Sequence, residues 1–274
     1  MGARNVVHRA PIVKTARRPA AQAILSPMSD KGPTMKQHLV IVTGASRGLG
    51  LAIAEQLLAR PDARLLTIAR RPNAALASER LEQWTQDLAQ PLDVSARLDR
   101  WLRSLDGASF DRATLINNAG VASPPGPLDA AEAADLSNAL RVGLEAPLLL
   151  TATFLRATRG WRAERKVLNV SSGLGRRAMA GTAAYCAAKA GMDHFSRAAA
   201  LEGAAIVSLA PGIIDTDMQA QLRGSDPAAF PDRERFVQLK TSGALDSPAQ
   251  GAAKLLAYLD RADFGAEPVA DVRG

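Results

Sequence analysis

Cysteine is nearly missing from this chain: Cys186 stands alone among 274 residues. A single thiol cannot build an internal disulfide framework, and it fits a reducing compartment, so a cytoplasmic protein is expected. Long apolar runs are also missing. None approaches the ~18 consecutive apolar residues that a bilayer crossing needs, which excludes a membrane-spanning reading. There is no internal repeat, no zinc-finger or RNA-recognition pattern, and no His/Cys clustering that would hold a metal.

Charge is present but unevenly placed. The net charge is +7, a value that invites a nucleic-acid partner. Residues 1–35, however, carry Arg4, Arg9, Lys14, Arg17, Arg18 and Lys31 against Asp30 alone, which leaves +2 for everything that follows. The body is nearly neutral, and no nucleic-acid partner is expected. The arm has no apolar core of the kind a secretory signal carries, and Pro11, Pro19, Pro27 and Pro33 interrupt any long helix. It reads as a disordered basic arm, an organelle leader or a stretch ahead of a true start at Met28 or Met35. Residues 36–274 read as one domain.

From His38 onward, buried-type strands alternate with helical stretches, the pattern of a parallel sheet covered by helices on both faces. Strands are expected at 39–43, 64–69, 88–92, 113–118, 165–172, 205–210 and 267–272. Helices are expected at 49–60, 74–84, 95–105 with Ser95 as N-cap, across 131–158 as one or two segments, at 182–202 and at 248–260. The stretch 213–243 is polar, contains proline and shows no period, as a mobile lid over a site would.

Several clusters carry chemistry. Thr43-Gly44-Ala45-Ser46-Arg47-Gly48-Leu49-Gly50 joins the first strand to the first helix. Its glycines allow a tight turn and close approach to a pyrophosphate, and the helix start offers free N–H groups to the phosphates. It is neither the usual GxGxxG fingerprint nor a phosphate loop ending in Gly-Lys-Ser/Thr. Strand two ends Thr-Ile-Ala-Arg-Arg, without the acid that would hold the ribose hydroxyls of NAD; Arg47 and Arg70 favour the 2′-phosphate of NADP instead. Asp93, with Val94 after it, follows the expected third strand, where it either accepts the adenine amino hydrogen or caps the next turn.

Tyr185 and Lys189 stand four residues apart on an expected helix, so both project from one face. An ammonium beside a phenol stabilises the phenolate and lowers its pKa from ~10, which suits the tyrosine for proton transfer. Ser172, at the end of strand five, is placed to hydrogen-bond a substrate oxygen beside that hydroxyl. Taken alone, the pair also reads as a surface contact and Ser171-Ser172 as a turn.

In chain order, TGASRGLG, NNAG (117–120), Ser172, YCAAK and PGIIDT (211–216) resemble the short-chain dehydrogenase/reductase family over about residues 38–272. Within it, NNAGVASPPGPLDAAEA, NVSSGLGRRAMAGTAAYCAAKAG and PGIIDTDMQAQLR are similar to the benzil reductase and sepiapterin reductase-like branch. The resemblance implies a single Rossmann-type, doubly wound α/β domain with seven parallel strands and NADP(H) across their carboxyl edge. It implies Ser172, Tyr185 and Lys189 as the catalytic set, with Tyr185 and Lys189 also touching the cofactor. Thr43, Gly44, Ser46, Arg47, Gly48, Leu49 and Gly50 would bind pyrophosphate and the 2′-phosphate region. Asn117, Ala119 and Gly120 would back the adenine ribose, and Pro211, Gly212, Ile214 and Thr216 would hold the carboxamide.

The expected activity is NADPH-dependent reduction of a ketone or vicinal diketone, benzil-like or pterin-like, to the alcohol. A 3-oxoacyl reductase, an alcohol dehydrogenase and an NADP(H)-sensing protein are the competing readings. Leu174, Met179 and Met218, with a lid carrying Phe230 and Phe236, are the candidate substrate walls. Where family members carry Asn before strand five, this chain reads RVGLEAP with Gly143, which bears on proton relay through water. The alanine-rich helix 182–202, with 131–160, is the expected contact of a homodimer or homotetramer.

Overall fold

A computed structural model describes residues 1, 2 and 36–274; the expectations for the basic arm lie outside the described residues. The first strand, β1 (Gln37–Thr43), is buried along almost its whole length, and its alternate residues serve opposite faces. Val40 and Val42 pack with the helices of one face, and Leu39 and Ile41 with those of the other. A strand buried on both sides has no polar face to show, hence the unbroken run Leu-Val-Ile-Val.

Around β1 lie β2 (Ala63–Ala69), β3 (Leu81–Thr85), β4 (Phe110–Asn117), β5 (Glu164–Val170), β6 (Ile206–Ala210) and β7 (Val269–Asp271). They form one sheet in the order β3-β2-β1-β4-β5-β6-β7, with every neighbouring pair parallel. One face is covered by α1 (Gly48–Leu58) and α8 (Pro248–Leu259), through Ile53, Leu57, Leu255 and Leu259. On the other face lie α2 (Pro91–Ser104), α3 (Ala133–Leu140), α4 (Ala146–Ala157) and α5 (Ala183–Leu201), with Leu98, Leu102, Leu150 and Phe154 at the core. No helix among the described residues is long and apolar enough to cross a membrane.

The chain reverses outward from β1 in both directions, so the carboxyl ends of β1 and β4 open a crevice, the position where ligands of open α/β sheets sit. Four expectations about the elements fail. No helix forms at 74–84 and no strand at 88–92: residues 81–85 are β3, and 88–92 run into the start of α2. Ser95 is therefore not an N-cap. It lies inside α2, its hydroxyl 2.6 Å from that of Thr153 on α4. The stretch 213–243 is also not aperiodic; it folds into α6 (Asp217–Arg223) and α7 (Arg233–Thr241), clamped by a small core of Leu222, Phe230 and Phe236.

Between α3 and α4, Arg141–Glu145 makes one π-turn. Pro147 follows, and it explains the widening, because proline has no N–H to give to the carbonyl of residue 143 and its ring crowds that carbonyl in an α-helix.

Candidate active site

The carboxyl edge of the sheet opens into a cavity of about 1220 Å³. The turn after β1 supplies one end. A Cβ on Gly50 would stand 2.3 Å from the Gly44 carbonyl oxygen, and one on Gly44 would stand 2.9 Å from Ala119 Cα. The turn therefore packs directly on the loop after β4, and only glycine permits it. Thr43 and Asn118 tie the two loops: Thr43 Oγ1 accepts from the amides of Asn118 and Ala119, both at 3.0 Å, and Asn118 Nδ2 donates to the Thr43 carbonyl at 3.0 Å. Arg47 caps α1 without a side-chain hydrogen bond, and the first amide to find a partner within the helix is that of Leu51. The start of α1 thus presents unpaired N–H groups into the cavity, a cradle that fits the pyrophosphate of a dinucleotide.

Gly44, Ser46, Arg47, Gly48, Leu49 and Gly50 line this cavity, as do Arg70, Ala119 and Gly120 and, further along, Pro211, Gly212, Ile214 and Thr216. Four expected cofactor contacts do not. Thr43 is buried and spends its hydroxyl on the loop after β4. Asn117 is buried and points into the sheet, donating to Asn169 Oδ1 at 2.8 Å and Thr151 Oγ1 at 3.1 Å. Asp93 and Val94 sit in the first turn of α2, because β3 ends seven residues earlier than the sequence suggested. Gln86, Asp87 and Leu88 occupy the place after β3 and face the cavity. The run Leu-Glu-Gln-Trp-Thr gave little signal for them, since its apolar residues Leu81 and Trp84 stand three apart and do not alternate as those of a half-buried strand would.

Arg70 and Arg71 both line the cavity beyond β2, where no carboxylate ends the strand. Arg47, expected from sequence to have no competing carboxylate, has one: its Nη1 lies 2.6 Å from Asp217 Oδ2, with both side chains largely exposed.

The other end of the cavity holds Ser172, Tyr185 and Lys189. Ser172 follows β5 and its Oγ accepts from the Leu174 amide at 3.2 Å. Tyr185 and Lys189 lie on one face of α5, with the ammonium 5.7 Å from the centre of the tyrosine ring. Lys189 is buried, donates to the Val170 carbonyl at 2.7 Å, and has its pKa lowered to about 8 by that burial, against the pull of Asp193. The phenol of Tyr185 is shifted upward, not downward as expected, because burial outweighs the lowering influence of the neighbouring Ser172 hydroxyl.

Asp193 was not singled out by sequence. It is buried one turn beyond Lys189, and its Oδ1 accepts from Ser171 and Ser208, both at 2.6 Å. Leu174, Met179 and Met218 line the cavity beside the triad, and so does Phe236; Phe230 is fully buried behind Met179 and forms no wall. Gly143 is buried in the π-turn, where a Cβ would stand 3.1 Å from Ala188 Cβ, and the helix amide that lines the cavity belongs to Asn138.

A glycine-rich cradle on a doubly wound sheet, facing a serine, a tyrosine and a lysine, defines a dinucleotide-dependent oxidoreductase. The comparisons agree. Residues 38–226 match the family model described as short chain dehydrogenase, and the chain belongs to that family, whose members interconvert alcohols and carbonyls with a nicotinamide cofactor. It is 35% identical over 238 residues to the benzil reductase ((S)-benzoin forming) of Bacillus cereus, covering 82% of this chain and 95% of that one. It is 32% identical over 243 residues to the sepiapterin reductase of Meriones unguiculatus, covering 82% and 92% respectively. Among solved structures, a short-chain dehydrogenase/reductase from Burkholderia vietnamiensis superposes with a TM-score of 0.60 at 36% identity, covering 87% of this chain and 99% of that one.

Proposed function

We propose that the chain is an NADPH-dependent carbonyl reductase that converts one carbonyl of a vicinal diketone, benzil-like or pterin-like, into the alcohol. The observation that carries this reading is the convergence of Ser172, Tyr185 and Lys189 in the cavity that also holds the unpaired amides of α1. Two relatives similar over most of their length are a benzil reductase and a sepiapterin reductase, which supports a dicarbonyl or pterin substrate.

A bound nicotinamide supplies the hydride equivalent for the carbonyl carbon. The chain's own residues manage the oxygen. Ser172 hydrogen-bonds the substrate oxygen and fixes it beside Tyr185, whose hydroxyl proton passes to that oxygen as the alcohol forms. Lys189, held by the Val170 carbonyl, keeps a positive charge in the low-dielectric pocket, where it favours the tyrosinate left behind. Arg70 and Arg71 are the residues that would take the 2′-phosphate, with charge-assisted hydrogen bonds that NADH cannot use.

The outer faces of α4 and α5 leave Leu148, Ala187, Ala190 and Ala198 exposed, and these supply the contact of a homodimer or homotetramer. A cytoplasmic setting suits the lone, half-buried thiol of Cys186.

The test is NADPH oxidation with benzil, smaller diketones, sepiapterin and 3-oxoacyl substrates, for the wild type and Tyr185→Phe. Benzil or sepiapterin should be reduced, and the variant should lose ~10²-fold or more in turnover while still binding NADPH. Preference for the acyl substrates, or near-normal turnover in the variant, would overturn the reading.

A further inference from the structure

The arginine doublet after Ser172 is divided between two tasks. Arg176 is tied down: its Nε lies 3.4 Å from Asp193 Oδ2, and its Nη2 donates to the Ala270 carbonyl at 3.2 Å. Arg177 faces the cavity, with its Nη2 3.5 Å from the point where a Cβ on Gly173 would sit, one residue beyond Ser172. Arg235, on α7, lines the same cavity.

The other charged groups lining the cavity are accounted for. Arg47 is matched by Asp217 at 2.6 Å and Arg273 by Asp271 at 2.7 Å, Glu234 beside Arg235 leans toward Arg233 at 3.9 Å, and Arg70, Arg71 and Asp87 belong to the dinucleotide end. Among the described residues neither Arg177 nor Arg235 has a carboxylate within ion-pair distance. The same cavity carries an apolar wall of Leu174, Met179, Phe236 and Leu239. A neutral diketone would use that wall and leave two guanidinium groups with nothing to bind.

We propose that the substrate is a carbonyl compound with a carboxylate on an apolar body, the carboxylate being held by Arg177, with Arg235 adding to the positive charge of the cavity. The proposal rests on the carbonyl reductase reading and narrows its substrate class. Guanidinium groups suit the task because their fork of N–H donors matches a carboxylate, and an unmatched positive cavity mouth draws anions toward it. Both arginines are exposed, so the gain is modest and falls with salt.

The experiment compares 4-carboxybenzil with its methyl ester, a pair that differs in charge while keeping the same dicarbonyl, using NADPH at low ionic strength. The acid should have a kcat/KM roughly tenfold or more above the ester, a ratio corresponding to about 1.4 kcal/mol. That ratio should fall toward one in Arg177→Gln, fall partway in Arg235→Gln, and shrink as salt is added. Melting curves of both variants check that the fold is intact. If benzil and the ester are reduced but the acid is no better, or if the ratio survives both substitutions, the carboxylate site is refuted and the reductase reading stands. If none of the four carbonyl compounds, including phenylglyoxylate as the smallest acid, is reduced, the reductase reading itself fails.

Discussion

The ammonium of Lys189 is anchored to the Val170 carbonyl at 2.7 Å, at the end of β5, and not to the phenol of Tyr185 one turn before it on α5. The lysine is therefore a fixed charge whose protonation depends on its burial and on the carboxylate of Asp193. Its pKa is lowered to about 8, so the charge is present at neutral pH and is lost as pH rises through about 8. Activity that needs the ammonium should fall on that alkaline limb. Asp193 is faced by Ser171 just after β5, Ser208 on β6, Arg176 and Lys189 itself. Removing its charge in Asp193→Asn should move the limb to lower pH, because nothing then opposes the desolvation of the lysine. Initial rates of wild type and variant across pH 6 to 10 check this, and an unmoved limb would separate Asp193 from the lysine. Lys189→Ala should cost more than ~10²-fold at every pH.

Cofactor preference is the second expectation. Arg70 is exposed at the end of β2, with Arg71 beside it, so each phosphate contact is partly solvated. Arg70→Ala should raise the KM for NADPH by roughly tenfold and leave the KM for NADH within about twofold. Equal weakening of both cofactors would show that Arg70 does not address the 2′-phosphate.

His38 sets an acid limit on the fold. It is buried in β1, where Nε2 is 2.8 Å from Thr114 Oγ1 and Nδ1 has no partner. Desolvation, followed by the charge of Arg112, lowers its pKa from 6.5 to about 4. Between those values the unfolded chain takes up a proton that the folded chain refuses, so stability falls as pH drops from 6.5 to 4. The loss is on the order of 3 kcal/mol. Denaturant unfolding at pH 7 and pH 4.5 should show a steep difference in wild type and a shallower one in His38→Gln.

Much of this fold could be read from the chain because a parallel sheet leaves a strong mark. Strands buried on both faces, such as Leu39–Val42, are continuous apolar runs bounded by turn residues. β3 was misplaced for the same reason. As the edge strand it is only half-buried, with Trp84 its one fully covered side chain, so it lacks that mark. The error then carried Asp93 into the site in place of Asp87. That Ser172, Tyr185 and Lys189 meet in one cavity was legible, because motif order fixes their places. The roles of Thr43, Asn117 and Asp193 were not, since nothing in a sequence tells a polar side chain that faces a cavity from one that ties two buried elements together.

The last expectation concerns Gly143, where a relay asparagine was looked for. The structure gives the glycine a packing reason: the π-turn presses on α5, and a Cβ at 143 would lie 3.1 Å from that of Ala188, the residue before Lys189. On the facing side Gly191 of α5 takes the side chain of Leu144, so the two helices interlock in both directions. Any side chain at 143 must push α5 away by a few tenths of an ångström, and overpacking of this kind typically costs ~1–3 kcal/mol. Asn138, five residues earlier on α3, already lines the cavity from this segment. Gly143→Asn should therefore lower the melting temperature and keep turnover within about tenfold of wild type, with any change a loss. Gly143→Ala should show the same direction at smaller size, because the helix gains ~0.5–1 kcal/mol from losing a glycine while paying the same first contact. A Gly143→Asn protein that melts like wild type and turns over more than tenfold faster would mean that the position lacks a proton relay, and that its glycine is there for something other than packing.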